Sequence, residues 1–202
     1  IIEKDFAKVL VNTEFVTDNK ANISVETTIF NAKGEKLTTH TTQSTQYTGD
    51  VLSNELYINH PTLWDIGKPY LYKAVTKLYE NGVVKDEMST TFGIRSIELK
   101  PNDGLYLNGR KIKIQGVCMH HDLGALGGAV NEAAIRRQIR IMQDMGANTI
   151  RTSHNMPAPE YVRAADEMGM LLAVESFDEW AIPKVDNGYH LYFKDWAAKD
   201  LT

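Results

Sequence analysis

The sequence predicts a multi-domain protein, β plus α/β: an immunoglobulin-like β-sandwich over residues 1–96, then a parallel β-α-β-α-β unit over 97–202. Three observations carry this reading. Up to about residue 96 the chain is a series of short runs rich in β-branched and aromatic residues, separated by turn signals. Beyond that point, strand-length apolar runs alternate with segments of helical period. Finally, Gly116-Val117-Cys118-Met119-His120-His121-Asp122 and Ile150-Arg151-Thr152-Ser153-His154-Asn155 each follow a strand-like run and precede a helical one. That order sets histidine or arginine at the C-terminal end of a parallel strand, the edge where α/β architectures do their chemistry.

In the first part, strands are expected at Val9–Val16, Asn22–Phe30, Lys36–Gln43, Val51–Ile58, Tyr70–Tyr79 and Glu87–Phe92. Asp18-Asn19, Ala32-Lys33-Gly34, Gly49-Asp50 and Asn81-Gly82 punctuate them, and Asn-Gly is a strong hairpin signal. Six or seven strands at this spacing suggest a sandwich, here without a Cys-Trp-Cys framework. In the second part, Leu105–Leu107 and Lys111–Val117 read as a hairpin through Asn108-Gly109 whose second arm runs on into the core. Helical period follows in Glu132–Met145, where Ile135, Ile139 and Met142 share a face, Asn131 is the N-cap and Gly146 the stop. Asn148–Thr152 is the next strand, Pro159 opens a helix ending at Met168-Gly169, and Met170–Val174 is the third strand. Crossovers in such a unit are right-handed and its sheet parallel.

Composition bounds the function. With 43% apolar and 24% charged residues the chain can bury real cores, and a net charge of −4 offers nothing to nucleic acid or an anionic membrane. Neither is expected as a partner. The N-terminus carries no basic-then-apolar leader, so the protein is expected in the cytoplasm, or in the periplasm or outside the cell if a leader has been removed. Cys118, the single cysteine, is expected to be a packed residue rather than a nucleophile.

The candidate site residues are His120, Arg151, His154 and Glu175. Taken singly, a histidine or arginine near a strand end is an ordinary surface residue, but three successive strands delivering them to one edge is a different matter. Glu175 ends an apolar strand, where a carboxylate is costly unless paired. Arg151 and at least one histidine should share one side of the sheet, with Arg151 meeting a carboxylate or solvent. Two further features have plain readings. Asn131-Glu132 looks like a catalytic dipeptide but fits helix capping. Asp178-Glu179-Trp180 with Tyr189, Tyr192 and Trp196 could stack on sugars or simply pack a loop.

At these residues the chain resembles the family 2 glycoside hydrolases, which include β-galactosidases, β-glucuronidases and β-mannosidases. Pro61-Thr62-Leu63-Trp64-Asp65 with Pro69-Tyr70-Leu71-Tyr72 resembles the sandwich signature, Phe92-Gly93-Ile94-Arg95 the junction into the barrel, and Leu107-Asn108-Gly109 with Gly116-Val117 the approach to barrel strand one. Arg151-Thr152-Ser153-His154-Asn155 with Pro157 resembles the strand-two motif, and Glu175-Ser176-Phe177-Asp178-Glu179-Trp180 the strand-three segment. Cys118 and Met119 stand where the family often has Asn and a basic residue, Val174 where it often has Asp, and Met156 where an aromatic or proline is common.

The resemblance implies a sandwich followed by a truncated (β/α)8 TIM barrel, since residues 97–202 fall far short of the roughly 250 a whole barrel needs. It implies a retaining exo-β-glycosidase, of β-galactosidase type, removing terminal β-linked sugars from glycans or oligosaccharides. Its two catalytic glutamates are expected beyond Thr202, so this stretch should hold none and be inactive alone. His120 and His154 then line the subsite of the cleaved sugar and Arg151 orients the nucleophile, with Glu175 a further substrate-site residue. No cofactor and no metal are expected, Glu179 lacking a histidine partner two residues later. Carbohydrate is the expected partner, with self-association through exposed barrel edges. The alternatives are a non-catalytic carbohydrate-binding or protein-interaction module, and a metal-dependent hydrolase using His120, His154 and Glu175.

Overall fold

The computed structural model describes residues 1–3, 5–17, 22–44, 51–180 and 182–200, and the chain divides into two compact units. The first comprises residues 1–65, 70–98 and 107–109; the second comprises residues 66–69, 99–106 and 110–202. The expected turns at Asp18-Asn19 and Gly49-Asp50 lie outside the described residues.

In the first unit, β1 (Phe6–Glu14), β2 (Ile23–Phe30), β3 (Lys36–Ser44), β4 (Val51–Asn59), β5 (Leu71–Glu80) and β6 (Val83–Gly93) form antiparallel sheets of order β1-β4 and β3-β2-β5-β6. Strand period 2 sets which residues enter the core. Along β2, Ile23, Val25, Thr27 and Ile29 turn inward and are buried, as are Asn54, Leu56 and Ile58 along β4. Each buried aliphatic side chain contributes about 1.5–3 kcal/mol. β6 begins at Val83, earlier than the expected Glu87, because the Asn81-Gly82 turn returns the chain directly and Glu80 pairs with Val83.

The two polar residues in this core are satisfied by each other. Asn54 Nδ2 donates to Val25 O at 3.0 Å and Thr27 Oγ1 at 2.9 Å, and its Oδ1 accepts from Thr42 Oγ1 at 2.6 Å. This ties β4 to β2 and β3, and so one sheet to the other. Trp64, 1% exposed, closes the sandwich with the residues of the junction motif. Its N–H donates to Ile94 O at 2.8 Å, the Arg95 guanidinium lies over its ring at 4.6 Å, and a Cβ at Gly93 would crowd Trp64 Cβ at 3.0 Å.

Three short strands follow, β7 (Ile97–Lys100), β8 (Gly104–Leu107) and β9 (Arg110–Ile112), joined in one sheet. The expected continuous arm Lys111–Val117 is broken. After Ile112 the backbone leaves the ladder at Lys113–Gln115, where the side chain of Asn148 replaces a strand: its Nδ2 donates to Lys113 O and its Oδ1 accepts from Gln115 N, both at 2.9 Å.

The second unit then forms a parallel sheet of order β10 (Gly116–His120), β11 (Thr149–Ser153) and β12 (Leu171–Val174). Helices α1 (Glu132–Asp144) and α2 (Pro159–Met168) link them and bury Ile135, Ile139, Ala164 and Ala165 against Ile150 and Met170. Asn131 caps α1, accepting from Ala134 N at 3.0 Å. Glu132 is held by Arg136 at 2.9 Å and Arg163 at 2.8 Å, a structural seam between the helices. α2 ends at Gly169, whose φ of +71° and contact with Gly67 exclude a side chain. Beyond β12 the segment expected to be loop folds further, into a 3-10 turn at Tyr189–Leu191 and a helix, α3 (Phe193–Asp200). No helix among the described residues is long and apolar enough to cross a membrane.

Candidate functional site

β10, β11 and β12 run parallel and in register, Cys118 beside Arg151 and Arg151 beside Ala173, so their C-terminal ends share one edge. Alternation then separates two faces. Val117, Met119, Ile150 and Leu172 point to the helices, while Cys118, His120 and Arg151 occupy the other face, which carries little cover. Gly116 lets the strands approach, since a Cβ there would sit 3.0 Å from Thr149 O.

All four expected residues meet on this edge. Arg151 pairs with Glu175 Oε2 at 2.7 Å, and His154 Nδ1 reaches the same oxygen at 2.9 Å. His120 packs edge-on against His154, ring centroids 5.3 Å apart. The peptide between Ser153 and His154 is cis. Glu175 is fixed from below by its own N–H, which donates to Thr152 Oγ1 at 3.1 Å. Burial alone would raise the Glu175 carboxyl; the His154 hydrogen bond and the Arg151 charge outweigh it and hold the group below the usual carboxylate range. The arrangement is a half-exposed carboxylate clamped between a guanidinium and an imidazole. Among the described residues, His154 Nε2 and both ring nitrogens of His120 carry no hydrogen bond, so they are available to hydroxyl groups.

Cys118 departs from expectation. It is exposed, not packed, because period 2 places it on the same face as His120. Arg151 donates to its sulfur at 3.4 Å, and this contact, with Ser153 beside it, draws the thiol pKa down. Reading two residues back from His120 would have found it.

Glu179 has another role. Its carboxylate, 3% exposed, accepts from Lys184 N at 2.5 Å and His190 Nδ1 at 3.0 Å, and its pKa falls to about 2, chiefly through the His190 bond. A side chain at Gly188 would overlap it. The aromatic residues nearby pack on one another, Trp180 stacked on Phe193 at 5.9 Å and Tyr192 on Trp196 at 5.2 Å. Glu179 therefore anchors the loop that follows β12. Among the described residues no group of three His, Cys, Asp or Glu side chains could hold a metal ion.

A sandwich followed by parallel β/α steps, with an arginine, histidines and a carboxylate on the C-terminal edge, places titratable groups where α/β barrels carry their sites. Comparison with known proteins is specific: Glycosyl hydrolases family 2 matches residues 2–95, and the family 2 TIM barrel domain matches residues 97–190. The chain belongs to glycosyl hydrolase family 2, as its immunoglobulin-like sandwich followed by the start of a TIM barrel.

It is 41% identical over 200 residues to the beta-galactosidase BoGH2A of Bacteroides ovatus, a match covering 98% of this chain and 23% of that protein. It is 34% identical over 127 residues to a beta-glucuronidase of Streptococcus agalactiae, covering 63% of this chain and 21% of that one. Among solved structures, a family 2 member from Bacteroides cellulosilyticus superposes with a TM-score of 0.92 at 31% identity, covering all of this chain and 26% of that one. The chain thus spans about a quarter or less of the length of these relatives.

Proposed function

We propose that this chain supplies part of the sugar-holding site of a retaining exo-β-glycosidase of β-galactosidase type, within a longer polypeptide. Residues 1–96 act as the sandwich domain and 97–202 as the first part of the barrel. His120 and His154 donate and accept hydrogen bonds with the hydroxyls of the terminal sugar. Arg151, steadied by Glu175, orients a nucleophilic carboxylate contributed by residues outside this stretch, as is the general acid. The observation that carries this reading is the Arg151–Glu175–His154 cluster: a charge pair left half-exposed at the chemical edge, with imidazole nitrogens unbonded among the described residues.

A β-galactoside is favoured over a β-glucuronide because the arginine on this edge is already matched by Glu175, leaving it less able to hold a sugar carboxylate. The test is hydrolysis of 4-nitrophenyl β-galactoside, β-glucuronide and β-mannoside. The full-length protein should cleave the galactoside fastest, and purified residues 1–202 should cleave none. Preference for the glucuronide would overturn the sugar assignment, and turnover by 1–202 that survives repeated purification would overturn the assignment of the catalytic carboxylates elsewhere.

A further inference from the structure

The reaction proposed above gives Cys118 no part, yet its sulfur touches the arginine at the centre of the cluster. Register sets Cys118 of β10 directly beside Arg151 of β11, with Ala173 of β12 on the other side. The Arg151 guanidinium reaches both ways: Nη2 pairs with Glu175 Oε2 at 2.7 Å, and Nη1 donates to Cys118 Sγ at 3.4 Å. Nη1 also lies 3.4 Å from Ser153 Oγ. That distance is long for an oxygen acceptor but ordinary for sulfur, whose radius is larger, so the thiol is the better seated of the two. Each partner steadies the other's charge. The Arg151 contact, ahead of Ser153 and against the Glu175 charge, draws the thiol below its usual range, and the Cys118 contact is foremost in raising Arg151.

We propose that Cys118 is a positioning residue for the glycosidase reaction: its sulfur holds the second amino group of Arg151 and so fixes the plane of the guanidinium. The inference rests on the glycosidase reading. Glu175 cannot set that plane by itself, because the one oxygen that meets Arg151 is shared with His154 at 2.9 Å, and the pair is not a two-pronged fork. A planar group held at one corner swivels about that contact; held at both amino groups, it does not. With the plane set, the remaining N–H groups keep one direction toward the carboxylate that Arg151 orients. Orientation of a reacting group acts on the transition state more than on substrate binding, so the contribution of Cys118 belongs to kcat rather than KM.

The experiment compares Cys118→Ala and Cys118→Ser in the full-length protein, two side chains of similar size of which only serine offers an acceptor. On 4-nitrophenyl β-galactoside, Cys118→Ala should lower kcat about tenfold with KM little changed, and Cys118→Ser should recover it to within about twofold of the wild type. In an Arg151→Ala background Cys118→Ala should change kcat by less than about twofold, since the group it holds is gone. No loss in Cys118→Ala, equal losses in the two variants, or a loss that persists without Arg151 would overturn the inference and leave the glycosidase reading intact. No hydrolysis of any β-glycoside by the wild type would overturn that reading instead. The contact is then decided, as it is if Cys118→Ala fails to fold, by thiolate absorbance at about 240 nm, taken as the difference between each protein and its Cys118→Ser counterpart across pH. A midpoint below the ordinary thiol value of about 8.5 that rises by about one pH unit or more in Arg151→Ala supports the contact, and a midpoint that Arg151→Ala leaves in place overturns it.

Discussion

The sandwich and the barrel part each hold a cluster of polar side chains, and the two clusters are built to opposite ends. Around Asn54, 0% exposed, every polar atom is spent inside the fold: amide to Val25 and Thr27, carbonyl to Thr42, hydroxyl of Thr27 near Thr76 at 3.1 Å. Around Arg151 the pairing is strong but incomplete, with side chains 43% and 29% exposed at the Arg151–Glu175 pair and imidazole nitrogens unbonded among the described residues. A satisfied, buried network fixes strand register and is silent chemically; a half-satisfied, half-exposed one retains capacity for something that is not protein. Glu179 shows that the distinction is not one of charge. It is ionised and buried, yet its own loop consumes it, so it sorts with Asn54.

The largest effect expected from this contrast is on turnover at Arg151. In the full-length protein, Arg151→Ala should lower kcat/KM by about 10²–10³-fold, as removing a fixed charge from a preorganised site does. Its urea midpoint should barely move, because solvent already screens the pair. Equal activity with intact folding would make the barrel-edge cluster as structural as the one in the sandwich.

The reverse is expected at Asn54. Asn54→Leu keeps the volume but removes the bonds to Val25 O, Thr27 Oγ1 and Thr42 Oγ1, although Thr27 keeps Thr76 and Thr42 keeps Ser53 O, and should cost about 2 kcal/mol in urea unfolding while folded protein keeps its kcat. A loss under about 1 kcal/mol would mean that the node is hydrated rather than satisfied. Gly169→Ala sharpens the comparison from within the barrel part. It forces a side chain into a left-handed position 2.6 Å from Gly67 N, and should cost about 2 kcal/mol without changing kcat of the folded enzyme. A changed kcat would show that the edge depends on backbone placement far from it.

Much of this contrast was legible in the residues. The six sandwich strands and the β-α-β-α-β order follow from period and turn chemistry, and Asn131 announces itself as a cap. The meeting of Arg151, His154 and Glu175 follows from topology alone, since parallel strands in sequence must share an edge. What escaped was set by tertiary partners. The break at Lys113–Gln115 depends on a side chain 33 residues away, and the exposure of Cys118 depends on which face the helices cover. The folding of the segment after β12 depends on a carboxylate meeting amides several residues on, for which the local sequence carries no periodic signal.

The finest test of the contrast sets one carboxylate against the other. Both Glu175 and Glu179 titrate below the ordinary value of 4.5, Glu179 down to about 2. An acid depressed in the folded state stabilises the fold fully above its unfolded pKa, and that contribution drains as pH falls through the folded one. For Glu179 the window therefore runs from about 4.5 down to about 2. Because its partners are the amides of Lys184 and His190, protection of those two N–H groups from hydrogen exchange should fall across that window in the wild type. In Glu179→Gln protection should be low already at neutral pH and nearly flat. Glu175 shares the sign but not the size, since its half-exposed partners hold it against solvent. Glu175→Gln should leave the acid dependence of unfolding almost unchanged while it lowers turnover. If instead Glu175→Gln removes the acid dependence and Glu179→Gln does not, then the edge carboxylate is the structural one, and the division between spent and available polar groups fails where it matters most.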